Sequence, residues 1–243
     1  MEIQLIAGAT ILFIFIYFII KSIPRFSIFY TRLFYGEYSY KYISLYKNYT
    51  KKSPHVYCFK DEIIFHIIPF ISNENIKTLN TQKDIHFGDT KFFSNYSQII
   101  KTKGTPFCFN TFMLNSTEVK VAGYKISMFG TEIKALYFFH DKIFFMGEYI
   151  IKKEDKNIDV AKFSKTLIKK YCEADFVIDE NFVIENSNGN IIHFSDDGFF
   201  VSIKYFSNQN KNISKNISDY FGDFQSVKIQ SETQFQEEID DIL

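Results

Sequence analysis

The chain has 243 residues, with 28 basic and 28 acidic side chains that leave a formal net charge of zero. That length suits one domain or two small ones with a hydrophobic core, and the balanced charge excludes a protein that binds polyanions over its whole surface. Phe, Tyr, Ile, Asn and Lys dominate, Trp is absent and Gly and Pro are scarce, a bias that an AT-rich genome produces, so aromatic content alone marks no ligand site.

Residues 3–20 carry no charge and are mostly Ile, Leu and Phe. A hydrocarbon slab of roughly 30 Å takes about 20 helical residues, so this run predicts one transmembrane helix. It is apolar on every face, unlike a surface helix of a soluble domain. The preceding Met1-Glu2 has no basic residue and no small-x-small site follows, so an uncleaved anchor is expected. Lys21, Arg25, Arg32, Lys41, Lys47, Lys51 and Lys52 follow it against Glu37 alone, which places the rest of the chain on the cytosolic side of a plasma (inner) membrane; the alternative is an extracytoplasmic domain. Three cysteines, an odd number, point to a reducing compartment rather than a disulfide framework.

Residues 21–53 form a basic, aromatic juxtamembrane segment. Phe26, Phe29, Tyr30, Leu33 and Phe34 recur at helical spacing, with Arg25 and Arg32 off that stripe, and together with Lys21 they are the candidate membrane-interface residues. Such a helix either lies in the membrane interface or packs on the domain that follows. The positive-inside bias already accounts for the lysines, so no nucleic-acid partner is inferred.

Residues 54–84 read as a strand pair, 56–59 and 63–70, then a polar loop over 72–83. A first helix-plus-meander unit is expected over 85–151: a helix capped by Asp89 or Thr90 and ending before Gly104-Thr105-Pro106, then strands over 107–114, 118–129, 132–139 and 143–151. A second is expected over 157–206: a helix from Asp159 to Cys172, then strands over 182–185, 190–194 and 199–206, with Asn188-Gly189 as a hairpin turn. Leu136 to Tyr149 overlays Ile192 to Tyr205 without a gap, which predicts a duplicated unit. Residues 207–243 read as a polar linker and an acidic tail. The predicted fold class is therefore α+β: a transmembrane helix, then two helix-plus-antiparallel-meander repeats.

His86-Phe-Gly-Asp-Thr90, Gln98-Ile-Ile-Lys101 and Gly104-Thr-Pro106, followed by a meander, resemble the outer-membrane assembly lipoproteins of the BamE type and the tandem β-lactamase-inhibitor-protein fold. The resemblance covers about Ile85 to Phe206. It implies a non-enzymatic adaptor that presents a sheet to a protein partner, and fold likeness transfers no particular partner. The lipobox cysteine of the lipoproteins is missing here.

Chemistry-bearing patterns are sparse. His55, Cys58 and His66 come nearest to a ligand set, but zinc needs three or four converging ligands, so no metal or cofactor is expected. Asp196-Asp197-Gly198 fits a hairpin turn and lacks the remaining ligands of a calcium loop. No glycine-rich phosphate loop or nucleophile elbow occurs, so neither a catalytic residue nor a small-molecule substrate is inferred. The expectation is a membrane-anchored binding or scaffold protein. An immunity or inhibitor protein, or an enzyme with an unrecognised site, are the alternatives. Tyr137, Phe145, Tyr149, Phe199, Val201 and Tyr205, on the Phe- and Tyr-rich meanders, are the candidate partner contacts.

Overall fold

A computed structural model describes residues 23–59, 64–67, 76–128, 130–153, 159–174, 178, 181–220 and 222. The expected transmembrane run 3–20, Lys21 and the acidic stretch 230–243 lie outside the described residues. Among the described residues, no helix is long and apolar enough to cross a membrane. The chain divides into two compact units after Val56.

In the first unit, the described residues 23–35 are helical and form α1. Gly36 ends it with φ of 82°, and its N–H donates to the Arg32 carbonyl at 3.0 Å. Helix α2, Tyr40–Thr50, starts at Ser39, whose hydroxyl accepts from the Tyr42 N–H at 3.2 Å; Tyr42 and Ile43 are its buried side chains. His55 stacks on Tyr38 at 4.8 Å, and its Nε2 donates to the Glu37 carbonyl at 2.8 Å.

The second unit is α+β and is built on one mixed eight-stranded sheet. Its strands are β1 (Lys77–Thr81), β2 (Cys108–Leu114), β3 (Thr117–Met128), β4 (Thr131–His140), β5 (Ile143–Lys152), β6 (Phe182–Asn186), β7 (Asn190–Asp196) and β8 (Phe200–Ser207). They lie in the order β1-β6-β7-β8-β5-β4-β3-β2, with β1–β6 the parallel pair and the other neighbours antiparallel. Helices α3 (Ile64–Ile67), α4 (Tyr96–Lys103) and α5 (Val160–Cys172) accompany the sheet, and α6 covers residues 211–220.

Strand alternation gives the sheet two faces, both buried. One face carries Tyr137, Tyr149 and Tyr205 around Phe87, whose ring centroid lies 4.9, 4.3 and 5.4 Å from theirs. Helices α4 and α5 belong to this side: the Tyr96 ring meets Phe139 edge-on at 5.0 Å, and Phe163, Leu167, Ile168 and Tyr171 of α5 are buried. Phe87 fits because β5 has Gly147 beneath it; a Cβ there would enter the Phe87 ring. Gly147→Ala therefore overpacks a site with no slack, and a loss of about 1–3 kcal/mol is expected by urea denaturation. Gly130→Ala is the weak comparison for space: a Cβ there meets nothing within 4 Å, leaving only the strain of its φ of 81°.

The opposite face packs Leu136, Phe138, Met146 and Phe206 with Cys58, Ile67, Ile213 and Ile217. Helix α6 is docked here, and the Asn216 Nδ2 donates to the His140 Nε2 at 3.1 Å. The stretch 207–218, expected as a flexible linker, thus contains an ordered helix. The Asn210 side chain caps it through the Asn212 N–H, and Ile213 and Ile217 sit four residues apart on its inner face.

Three more expectations change. Residues 56–59 form no strand, and residues 64–67 within the second expected strand are helical, because a short apolar run does not distinguish a buried strand from a buried helix. Strand β1 arises inside the expected loop 72–83, through a parallel pairing with residues a hundred positions away. Helix α4 starts at Asn95 rather than at Asp89 or Thr90, because Phe87 and Thr90 exchange backbone hydrogen bonds of 3.1 and 2.9 Å in a tight loop and Phe93 takes φ of 66°.

Candidate functional site

One row of residues crosses the α6-side face of the sheet, strand by strand: Thr78, Val183, His193, Lys204, Glu148, Leu136, Gly123 and Cys108. Its centre is polar and buried. Glu148 is 2 % exposed, His193 3 % and Lys204 7 %.

Glu148 organises this centre. Its Oε2 accepts from the His66 Nδ1 at 2.6 Å and its Oε1 accepts from the Ser202 hydroxyl at 2.7 Å, while the Lys204 Nζ stands 3.9 Å from Oε1. Burial pushes the Glu148 carboxyl up, but the His66 imidazole, Lys204 and the Ser202 hydroxyl together outweigh it and hold the group below the usual carboxylate range. An ionised carboxylate only accepts, so His66 carries its proton on Nδ1. Burial lowers Lys204, against the opposing pull of Glu148. Burial and then the Lys204 charge bring His193 down to about 4, so its ring is neutral at pH 7. Lys134 faces the same centre from β4. Burial lowers it too, and its Nζ donates to the Cys58 carbonyl at 2.9 Å.

Chemically, this is a buried ion network rather than a nucleophile site. Nucleophilic catalysis by serine needs a base at the hydroxyl, and the Ser202 hydroxyl donates to a carboxylate that His66 already holds. His66 is also tilted against Phe59 and Phe138, at 4.2 and 5.8 Å, which fixes its ring.

The row ends at a covalent bond. Cys58 and Cys108 form a disulfide, 3 % and 1 % exposed. The Asn110 side chain clamps the same segment: its Oδ1 accepts from the Cys58 N–H at 2.6 Å and its Nδ2 donates to the Phe59 carbonyl at 3.1 Å. Gly123 faces the sulfurs, and a Cβ there would lie 2.8 Å from the Cys58 Sγ and against that of Cys108. The expectation of no disulfide is therefore corrected: the 49 intervening residues hid the pairing, because the fold alone brings the two cysteines together. The three residues considered as a ligand set part company: His55 is tied to Glu37, Cys58 to Cys108 and His66 to Glu148. Among the described residues, no three His, Cys, Asp or Glu are grouped to hold a metal.

Of the six candidate partner contacts, Tyr137, Phe145, Tyr149, Val201 and Tyr205 are buried in the unit's own core, whereas Phe199 is 77 % exposed. Phe199 stands at the tip of the β7–β8 hairpin with Phe200, which is also exposed. The Asp197 carboxylate holds that turn by accepting from the Phe199 and Phe200 N–H groups at 2.9 and 2.6 Å. In the first unit Arg25, Phe26, Phe29, Tyr30, Arg32, Leu33 and Phe34 are all exposed on α1, and Arg32 pairs with Glu37 at 2.7 Å. Sequence reasoning missed Glu148, Lys204, Ser202, Lys134 and His193. The available signal was a single charge inside each of two apolar strands, Glu148 in Met-Gly-Glu-Tyr-Ile and Lys204 in Ser-Ile-Lys-Tyr-Phe.

Compared with protein-family models, with curated proteins and with solved structures, the chain matches none.

Proposed function

We propose that this chain is a non-enzymatic, single-pass membrane protein that holds an α+β domain at the membrane for a protein partner. Residues 3–20 are the anchor. The observation that carries the reading is the exposed apolar face of α1, which follows that anchor within a few residues while the polar chemistry of the sheet is sealed inside.

The domain is read as two helix-plus-meander units joined by duplication, and strand register supports this. In the overlay of Leu136 to Tyr149 on Ile192 to Tyr205, Glu148 corresponds to Lys204, and these two are direct partners across β5 and β8. Gly147 pairs with Tyr205 and Tyr149 with Ile203, so the pairing is symmetric about Glu148 and Lys204. A local twofold through that pair turns one duplicated position into an acid and a base that face each other.

The partner contact is the β7–β8 tip. A photo-crosslinking amino acid in place of Phe199 in native membranes is expected to yield one discrete protein adduct, and the same group in place of the buried Phe145 none. Absence of an adduct from position 199, or equal adducts from both, would sink the scaffold reading.

The Lys and Arg excess after the anchor supports a cytosolic domain. The Cys58–Cys108 bond favours a second reading, with the domain on the opposite, oxidising side. Thiol labelling of denatured chain from intact cells separates them: free Cys58 and Cys108 fit the cytosolic side, and blocking of both until a reductant is added fits the other.

A further inference from the structure

We propose that α1 is a lipid-binding element of its own, lying along an anionic bilayer surface with its aromatic face in the headgroup region. The inference rests on the anchor reading above and goes beyond it, because an anchor alone leaves the following helix free to stand in water.

Three observations converge. First, Phe26, Phe29, Tyr30, Leu33 and Phe34 are between 54 and 75 % exposed. At 100° per residue they fall within an arc of about 140°, one face of the helix. The Tyr30 and Phe34 rings touch at a centroid distance of 4.2 Å, so these two form one apolar surface within the ledge. Contiguous exposed apolar surface of this kind marks an interaction site. Second, Arg25 and Arg32 border the Phe29 edge of the ledge on the helical wheel, and the segment as a whole is basic. Residues 21–53 hold seven Lys and Arg against Glu37 alone. Glu37 takes up Arg32 at 2.7 Å, which leaves the segment strongly positive. Third, the ledge begins six residues after the apolar run 3–20, so an anchored chain delivers it to the headgroup layer.

These features favour lipid over a protein groove. Aromatic side chains suit the interfacial depth, where rings are partly dehydrated and a Tyr hydroxyl stays wet. Basic residues beside them are drawn to anionic headgroups, an attraction that salt screens.

The chain contains no Trp, so one introduced indole reports a single position. The test uses full-length Phe29→Trp and Tyr35→Trp chains in vesicles of phosphatidylcholine, alone or mixed with phosphatidylglycerol. Tyr35 lies about 180° from Phe26 on the helical wheel. At position 29 the emission is expected to shift to the blue and to be quenched about twofold more by lipid labelled near the headgroup than by lipid labelled deep in the chain. That quenching strengthens with phosphatidylglycerol and weakens with salt, and position 35 stays open to aqueous iodide. A chain that floats with the vesicles but shows a water-exposed indole at 29, or equal lipid quenching at 29 and 35, overturns the inference while sparing the anchor. A chain that fails to float overturns both.

Discussion

Glu148→Ala is expected to be the most damaging single substitution in the domain, at about 3–5 kcal/mol, because it leaves buried Lys204 without its counter-charge and the His66 donor without its acceptor. The penalty comes from the charge left behind more than from the bond lost. Glu148→Gln keeps the shape and one acceptor oxygen, so it should fall between wild type and Glu148→Ala. A double variant that also replaces Lys204 with Met should recover part of the loss, since removing both charges together is far cheaper than removing one. Urea denaturation of the four proteins checks this; full additivity would contradict the coupling.

The same network makes the fold acid-sensitive. His193 stays neutral in the folded chain down to about pH 4, whereas an unfolded histidine takes its proton near 6.5. Between those values the unfolded chain binds more protons, so stability falls as pH drops from about 6.5 to 4, by up to about 3 kcal/mol. Glu148 adds to this at lower pH. Its folded value lies below the unfolded one, so its contribution is present above about pH 4.3 and is lost as pH falls through the folded value. His193→Asn should flatten the upper part of that decline and leave the lower part in place.

Removing the disulfide is the second large effect. Cys58 and Cys108 are 50 positions apart. Opening a loop of that size releases chain entropy in the unfolded state worth about 4 kcal/mol, and a Cys58→Ala/Cys108→Ala chain should lose close to that amount. The loss should be confined to stability. The alanines also remove the buried sulfurs beside Gly123, and Asn110 continues to hold the Cys58 N–H and the Phe59 carbonyl. Thermal unfolding with and without reductant measures it: an unchanged midpoint would mean that the pair carries no structural load.

Local patterns were legible in the sequence. Helix α5 begins at its expected cap, Asp159, and ends at Cys172, and the seven antiparallel-paired strands fall within two residues of their expected bounds. Periodicity and turn chemistry fix such elements from neighbouring residues alone. What was illegible depends on distant partners. Strand β1 exists because β6 is there to pair with it, and α6 because Ile213 and Ile217 find a sheet to cover. The site was harder still. Glu148 looked like one charge in a strand, and only the pairing of β5 with β8 brings Lys204 and Ser202 to it. Similarly, Phe199 and Phe145 both sit in Phe-Phe pairs of the sequence, and only the assembled sheet puts Phe145 in strand β5 and buries it while leaving Phe199 exposed in the β7–β8 turn.

That residues 3–20 hold this chain in a membrane underlies the whole of the proposed function. Carbonate extraction of native membranes at high pH, followed by flotation, tests that claim on the full-length protein. The chain is expected to stay with the floated lipid after extraction. Release of the chain into the carbonate supernatant would contradict it.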